Sequence, residues 1–324
     1  MIKRGLDSVL SGRFWDQREE LTTVRGTVLS DQFAKADYFY LLQEGKVNLY
    51  ITLEEIGKRI LVGSCSTKNA PLGWSAINAP SRHATTIIVA SPQAKLVRWK
   101  LKELLDYLNA NPLIQLEFLQ VVHEHSKKLV VHTSRFLDNT PAPNHEPCEP
   151  LPAEGGVTLG PSQEKALSML RKSPFFEVFE EAELERFSKV IIRKQYEQEQ
   201  FVCRQGEPCS GIFLLDRGDV SIYFTTRDGS QVPIRQVTGS GYLLGWLALP
   251  GEQNLLSAKV NTPSHLYMMP QEAFNTLIQE EPKLAITFYK RVLWLITVQL
   301  QTLRARLIAK KYDQEWLSIQ ALLQ

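Results

Sequence analysis

Apolar and polar residues alternate in two similar stretches of the chain, one in each half. The first stretch covers residues 39–50 (FYLLQEGKVNLY), and the second covers residues 212–223 (IFLLDRGDVSIY). An alternation of period two is typical of strands with one buried face, and a glycine in its middle favours a turn. Each stretch therefore predicts a strand, a turn and a second strand.

The two halves share a second landmark at nearly the same spacing. Gly45 and Gly218 are separated by 173 positions, and residues 73–76 (Gly-Trp-Ser-Ala) precede residues 245–248 (Gly-Trp-Leu-Ala) by 172. A fixed offset between two landmarks is the pattern of an internal repeat. The sequence therefore predicts a duplication.

Each half is predicted to end in helices. Apolar residues recur at helical spacing in 101–108 and 270–279, and each run is followed by a proline, at 112 and 282. Proline is well tolerated in the first turn of a helix, because its missing N–H would be unpaired there anyway. Strands followed by helices indicate α+β domains with a closed or sandwich-like β core.

A proline-rich segment separates the halves. Apolar periodicity disappears over 133–165, where prolines mix with Asn, Glu and Gly, as is typical of an extended linker. We therefore expect a first domain at 1–132, a flexible linker at 133–165 and a second domain at 166–324.

Composition narrows the class of protein. Of the 324 residues, 44% are hydrophobic, and 37 Lys and Arg against 35 Asp and Glu give a net charge of +2. This balance fits globular cores and gives no electrostatic reason to expect nucleic-acid binding. No leader-like apolar segment opens the chain, and the most apolar late stretch, 292–296, is far shorter than the roughly 20 residues that span a bilayer. We expect a soluble protein without direct membrane insertion.

The four cysteines indicate the cellular compartment. They form no CxxC pair, and unpaired thiols are typical of reducing surroundings. They are Cys65, Cys148, Cys203 and Cys209. A cytoplasmic location is the expectation.

A Gly-containing hairpin, a Gly-x-x-Ala helical turn and an Arg about nine residues later resemble the cyclic-nucleotide-binding domain family. This family includes bacterial catabolite-activator proteins and regulatory subunits of the cyclic-AMP-dependent kinase. The resemblance covers 14–132 and 168–312, and it implies two jelly-roll-like β-roll domains, each followed by helices. In the second half, residues 206–207 (Gly-Glu) with Gly218 match the family's first hairpin, whereas the first half has Gln-Phe at 32–33.

The resemblance also assigns a phosphate-binding site to the first half. Backbone N–H groups of a helical turn favour an anion, and a guanidinium adds a charge-assisted contact. Arg82 would be the phosphate ligand. The implied ligand-binding residues are Gly73, Trp74, Ser75, Ala76, Arg82, His83, Ala84 and Thr85. The ligand would be cyclic AMP, cyclic GMP or another cyclic nucleotide, with no other cofactor.

Tryptophan stands where the family places a ribose-binding glutamate. Trp74 and Trp246 occupy these positions, and losing a hydrogen bond to a charged group costs about 1.5–3 kcal/mol. The indole could fill the ribose space, stack on a ligand ring or serve as a core aromatic. The sequence leaves these alternatives open.

The second half is expected to carry a degenerate site. At an offset of 172, Arg82 maps to Asn254, so a phosphate there would lack a guanidinium partner. The residues of this degenerate site are Gly245, Trp246, Leu247, Ala248 and Asn254. We expect its pocket to be vacant or filled by the protein itself.

The last helix carries a heptad seam, with apolar residues spaced four and three apart. The seam consists of Tyr289, Leu293, Ile296, Leu300, Leu303 and Leu307. Packing on its own domain would explain a short seam. Six positions in register, together with the dimerisation helix of the catabolite-activator relatives, favour a homodimer through this helix.

No catalytic or metal-binding pattern is present. The sequence lacks GxxxxGK[ST], GxSxG and HExxH, and His123, His125 and His132 do not have the spacing of a zinc site. We therefore expect a protein that is not an enzyme and holds no metal.

Two functions remain open. The chain is either a regulatory module that senses a cyclic nucleotide or related phosphate ligand in domain 1 and signals to a protein effector, or a structural adaptor. The adaptor would bind no nucleotide and act through protein–protein contacts.

Overall fold

The computed structural model describes residues 5–10, 12–53, 58–78, 80–137, 155–161, 163–226, 229–247, 249 and 252–322. The chain forms two compact units. The first combines Met1–Leu137 with Tyr289–Gln324, and the second is Asp138–Phe288. This division differs from the predicted one, because most of the last helix belongs to the first unit.

The first unit begins with two short helices, continues with eight strands and ends with longer helices. Its elements are α1 Leu6–Val9, α2 Arg13–Asp16, β1 Glu19–Val24, β2 Val28–Ser30, β3 Tyr38–Glu44, β4 Val47–Leu53, β5 Lys58–Cys65, β6 Ala70–Leu72, a 3₁₀ turn at Trp74–Ile77, β7 Thr86–Val89, β8 Gln93–Lys100, α3 Leu101–Ala110 and α4 Pro112–Leu137.

Antiparallel pairing builds two four-stranded sheets in this unit, in the orders β1-β8-β3-β6 and β2-β7-β4-β5. The two strands predicted around Gly45 are present as β3 and β4, but they lie in different sheets, so the expected hairpin is wrong. Gly45 has φ +96°, and a Cβ there would lie 2.7 Å from the Gln93 carbonyl oxygen. The chain therefore turns from one sheet to the other at a point where β8 leaves room only for glycine.

The core of the first unit lies on the inner faces of these strands. Leu42 and Val47 are fully buried on either side of the turn, and Ile87 and Leu96 join them from β7 and β8. Successive side chains of a strand point to opposite faces of the sheet. The apolar residues at every second position therefore lie on the same inner face and form one apolar layer.

The second unit contains β9 Val157–Pro161, α5 Gln163–Lys172, α6 Glu181–Val190, β10 Ile192–Tyr196, β11 Phe201–Cys203, β12 Gly211–Thr225, β13 Gln231–Val237, β14 Leu243–Leu244, β15 Ser257–Pro270, α7 Gln271–Glu280 and the start of α8 Pro282–Leu322. Mutual hydrogen bonds cap the start of α6, where the Glu180 N–H donates to Glu183 Oε2 at 2.9 Å.

The predicted linker is partly regular structure. Residues 133–137 complete α4, and β9 pairs antiparallel with β10 in the second unit. The linker prediction is therefore wrong for these two pieces, because a Gly- and Pro-containing segment can still serve as an edge strand. Residues 138–154, including Cys148, lie outside the described residues.

The sheet of the second unit is also antiparallel and has the path β13-β12-β15-β10-β9. β12 is one continuous strand of 15 residues, and its ladder to β15 shifts register around Gly218. A Cβ on Gly218 would lie 2.8 Å from Ser264 Cα and closer still to the Ser264 side chain. The predicted pair of strands therefore forms a bent strand instead of a hairpin.

Both units thus consist of antiparallel strands followed by helices, which is consistent with the expected β-roll class. The connection between α5 and α6, together with α6, α7 and the start of α8, contributes a cluster of buried aromatic rings in the second unit. Its members are Phe175, Phe176, Phe179, Phe187, Phe274 and Phe288. Edge-to-face ring pairs of this kind contribute beyond their buried area.

The heptad seam of α8 is buried within the first unit. Leu293, Ile296, Leu300 and Leu303 are at most 1% exposed, and Leu307 is half-buried. The helix therefore packs inside the protein, but in the unit that holds the first half of the chain and not in the predicted second domain. The homodimer stays a prediction. Among the described residues, Pro282–Ala309 is also the one helical stretch whose length and composition would allow it to cross a membrane.

Candidate functional site

The centre of the candidate site is the turn that follows β6. Gly73 adopts the left-handed conformation with φ +78°, and the 3₁₀ turn Trp74–Ile77 follows it. A Cβ on Gly73 would come within 3.2 Å of the His83 ring. Glycine therefore allows both the turn and the close packing of the histidine.

A pocket of the first unit brings together six of the eight predicted ligand-binding residues. They are Gly73, Trp74, Ser75, His83, Ala84 and Thr85. The Ala84 N–H donates to Ser75 Oγ at 3.1 Å, which ties the two loops to each other. Ala76 is fully buried beneath the turn and does not line the pocket.

Arg82 is the predicted residue that stands apart from this pocket. Its side chain is exposed, and Nη1 donates to the Phe33 carbonyl oxygen at 2.6 Å. Phe33 has φ +62°, an uncommon conformation for an aromatic residue. The guanidinium predicted to bind phosphate therefore holds a strained loop on the outer surface.

Two helices complete the pocket wall. α4 contributes His125 and Leu129, and the first-unit part of α8 contributes Thr297, Leu300 and Arg304. Among the residues that the structure describes as lining the pocket, none is acidic. The wall therefore combines apolar surface with hydroxyl, imidazole and guanidinium groups.

Both histidines of the pocket are disfavoured in their charged form. Burial lowers the pKa of His83, and Asp37 and Asp31 only partly oppose this effect. Burial and the charge of Lys128 lower the pKa of His125 to about 4. Both rings are therefore neutral at physiological pH, and each can donate one hydrogen bond and accept another.

Sequence reasoning missed Arg304. It assigned Arg304 no role, yet this residue lies beside the heptad seam and is 4% exposed. Gln299, on the other flank of the seam, is also buried. Because both flanking positions are buried, the buried face of the helix is wider than a coiled-coil seam. A single sequence does not distinguish a helix buried in this way from a coiled-coil helix.

The two units repeat the same hydrogen bonds around this region. In the first unit, the Gln32 N–H donates to Thr86 Oγ1 at 3.1 Å, and the Thr52 N–H donates to Gln32 Oε1 at 2.7 Å. Gln32 therefore links three segments of the β framework through its backbone N–H and its side-chain oxygen.

Gln205 has the same role in the second unit. Its N–H donates to Ser257 Oγ at 3.0 Å, and the Thr225 N–H donates to Gln205 Oε1 at 2.8 Å. Gln205 Nε2 also donates to the Thr225 carbonyl oxygen at 3.0 Å. The glutamines are 173 positions apart, which is the spacing of Gly45 and Gly218.

These shared hydrogen bonds correct the predicted equivalence of Arg82 and Asn254. Isolated bridges pair Lys35 with Arg82 and Pro208 with Gln253, so Arg82 corresponds to Gln253. The prediction is wrong by one residue, because the offset falls from 173 before the turn to 171 after it. Gln253 is exposed and also lacks a guanidinium.

Asn254 is therefore the counterpart of His83. Its N–H donates to the Glu207 carbonyl oxygen and its carbonyl accepts from the Gly206 N–H, both at 2.8 Å. Its side-chain Nδ2 donates to the Pro208 carbonyl oxygen at 3.4 Å. Asn254, only 3% exposed, is thus bonded through its backbone and its side chain to the facing loop at residues 206–208.

The remaining residues of the predicted second site are mostly buried. Gly245 has φ +78°, as Gly73 does, and Trp246 and Leu247 are each 7% exposed. Trp74 is 8% exposed in the first unit, so both tryptophans pack into the protein. Ala248 lies outside the described residues.

No group of three or more His, Cys, Asp or Glu side chains in the described part of the chain could hold a metal ion. His123 lies edge-on to the Tyr289 ring, with centroids 5.8 Å apart. This contact with an aromatic ring gives His123 a packing role within the first unit.

Residues 193–281 match the family model of the cyclic nucleotide-binding domain. This segment is one cyclic nucleotide-binding domain. It lies in the second unit, where Gly206 and Gly218 were expected to form the family's first hairpin. A comparison with curated proteins found no match.

Several solved structures of cyclic nucleotide-binding proteins are similar to the chain. One is the regulatory domain of Toxoplasma gondii PKA with cAMP, at 14% identity and TM-score 0.34 over 83% of this chain and 84% of that one. A second is the regulatory subunit of a cAMP-independent protein kinase A from Trypanosoma cruzi bound to guanosine, at 11% identity and TM-score 0.34 over 81% and 75%. A third is a cyclic nucleotide-binding domain from Methylobacillus flagellatus, at 21% identity and TM-score 0.42 over 48% and 89%.

Proposed function

We propose that the chain is a non-enzymatic regulatory module with two cyclic-nucleotide-binding-like units, of which the first binds a phosphate-bearing small molecule. The pocket built from Gly73–Ser75 and His83–Thr85 carries this proposal, because it places the turn, the hydroxyls and two neutral imidazoles around one space. The matching hydrogen bonds of Gln32 and Gln205 support the tandem arrangement.

The ligand proposed is a cyclic nucleotide such as cyclic AMP or cyclic GMP. Such a ligand needs hydrogen-bond donors or a cation for its phosphate and a partly apolar wall for its base. The pocket offers Leu300 and Leu129 as apolar surface and Ser75, Thr85 and Thr297 as hydroxyl partners. Binding would change the packing of the first-unit part of α8 and so report occupancy to a protein effector.

Calorimetric titration with cyclic AMP, cyclic GMP and cyclic dinucleotides tests the proposal. Ala84→Phe would fill the pocket of the first unit, and Leu255→Phe at the corresponding position of the second unit is its matched control. We expect binding to the wild-type chain and the control but not to Ala84→Phe. Absence of heat with every nucleotide would overturn the proposal.

The second candidate function is a structural adaptor that binds no nucleotide. The burial of Trp74 and Trp246 and the loop bonds of Asn254 favour it, because they use the site residues for packing. In this case partners would bind the outer surfaces of the units. The same titration separates the two candidates, since an adaptor gives no heat with any nucleotide.

Homodimerisation through α8 remains a separate proposal. The buried seam would have to leave the first unit before it could pair with a second chain. Light scattering across a range of protein concentrations tests it, and a monomer at every concentration would contradict it. Cys65, Cys203 and Cys209 form no disulfide in the described part of the chain, which supports the proposed cytoplasmic location.

A further inference from the structure

The pocket of the first unit contains a buried cation. Arg304 lies on α8, lines the pocket and is 4% exposed, and its Nε is buried without a hydrogen-bond partner among the described residues. Burial lowers its pKa to about 10, so the guanidinium is still charged at neutral pH. An unpaired buried charge is strongly unfavourable.

The groups around Arg304 do not offer it a countercharge. The other titratable side chains that line the pocket are Cys65, His83 and His125, of which the histidines are neutral at physiological pH. His83 Nδ1 is itself buried without a hydrogen-bond partner. Two unpaired polar groups therefore share the wall of one pocket.

The arginine expected to bind the anion has another role. Arg82 is exposed, and its Nη1 donates to the Phe33 carbonyl oxygen. Its structural counterpart Gln253 is also exposed, so this position is on the surface in both units. A guanidinium that serves a buried anion must come from elsewhere in the unit.

We propose that Arg304, and not Arg82, is the cation that binds the anionic group of the ligand in this pocket. The ligand class is a small molecule with a phosphate, whose oxygens accept two parallel N–H bonds from a guanidinium. The inference rests on the proposed function of the pocket and adds a residue from the far end of the chain. The anion site is then complete only when the first-unit part of α8 is in place.

Three variants separate Arg304 from its alternatives. Arg304→Met removes the charge and keeps a long apolar side chain, and Arg82→Met tests the position given by the family resemblance. Arg306→Met is the matched control, because it removes one charge from an exposed position two residues further along α8. Thermal unfolding and calorimetry are carried out on the full chain in phosphate-free buffer, with inorganic phosphate, cyclic AMP and cyclic GMP as probes.

In wild-type protein, phosphate or a nucleotide should raise the unfolding temperature. Arg304→Met should weaken binding of the responding probe by at least about tenfold, while Arg82→Met and Arg306→Met change it less than about twofold. Without any probe, Arg304→Met should unfold about 2–4 °C above wild type, since it removes an unpaired buried charge.

The outcomes distinguish this inference from the proposed function. If phosphate binds through Arg304 and no nucleotide binds, the inference holds and the nucleotide function fails. If a nucleotide binds Arg304→Met as tightly as wild type, or if Arg82→Met loses binding instead, the function holds and the inference fails. If no probe affects the wild-type chain, both are overturned.

Discussion

In the first unit, the loop after the 3₁₀ turn presents His83 to a pocket, whereas the second unit has Asn254 at the corresponding position, with its side chain bonded to Pro208 in the facing loop. The framework beneath both residues is the same, since Gln32 and Gln205 make matching hydrogen bonds. The two units therefore share these framework hydrogen bonds and differ in the residue that lies above them.

The family match lies in the second unit, whereas the pocket lies in the first. It covers residues 193–281 in the second unit, where Gly206 has φ +85°. The counterpart of Gly206 in the first unit is Phe33, which has φ +62° and is held by Arg82. The unit that matches the family model is therefore the one in which the counterpart of His83 has its side chain bonded to the facing loop, at Pro208.

The largest expected effect tests whether both units need glycine at these corresponding positions, 45 and 218. Gly45→Ala and Gly218→Ala should each lower the free energy of unfolding by about 3 kcal/mol, because a Cβ would meet the backbone of the adjacent strand. Urea denaturation measures both losses.

The matched controls are Gly26→Ala and Gly229→Ala. Both glycines have positive φ, but a Cβ on either has no atom within 4 Å, so only the conformational cost of about 1 kcal/mol should remain. A loss at Gly45 no larger than at Gly26 would show that close approach does not constrain the turn of the first unit.

The next effect concerns the pH dependence of the first unit. The folded pKa of His125 is lowered to about 4, so between pH 6.5 and pH 4 the unfolded state binds more protons than the folded state. Stability should therefore fall as the pH falls through this window, by about 2–3 kcal/mol in total. Denaturation midpoints measured from pH 7.5 to pH 4 should decrease accordingly.

His125→Gln should flatten this part of the pH profile. His132→Gln is the control, because His132 is an exposed histidine on the same helix, and it should leave the slope unchanged. An unchanged slope in His125→Gln would assign the acid sensitivity to other groups.

The smallest effect compares the two glutamines. Gln205→Leu removes two side-chain hydrogen bonds, to the N–H and the carbonyl of Thr225, whereas Gln32→Leu removes one, from the Thr52 N–H. The expected losses are about 2 and about 1 kcal/mol. Equal losses in thermal or urea unfolding would mean that the second bond of Gln205 adds nothing.

The sequence was sufficient to predict the strands on either side of Gly45 and the turn between them. Alternation located β3 and β4, whereas the turn predicted at Gly218 lies inside the continuous strand β12. It could not assign strand partners, because alternation indicates which face is buried and not which strand lies beside it. The hairpin expected at Gly45 was wrong for this reason.

The candidate site was predictable only where it is local. Residues 73–75 and 83–85 lie near each other in sequence and were found together around one pocket. Arg304 comes from more than 200 positions later, and a charged residue beside an apolar seam is usually exposed. A single sequence therefore contains no pattern that predicts the burial of Arg304 or the residues that surround it.

The assignment of Tyr289–Gln324 to the first unit has a consequence for the order of synthesis. A ribosome releases residues 1–137 first, yet Ile308 and the other side chains that complete their packing emerge last. The second unit, by contrast, is whole once Phe288 has left the exit tunnel. Domains generally fold as units as they emerge, so the part of the protein that is made first is the last to be finished.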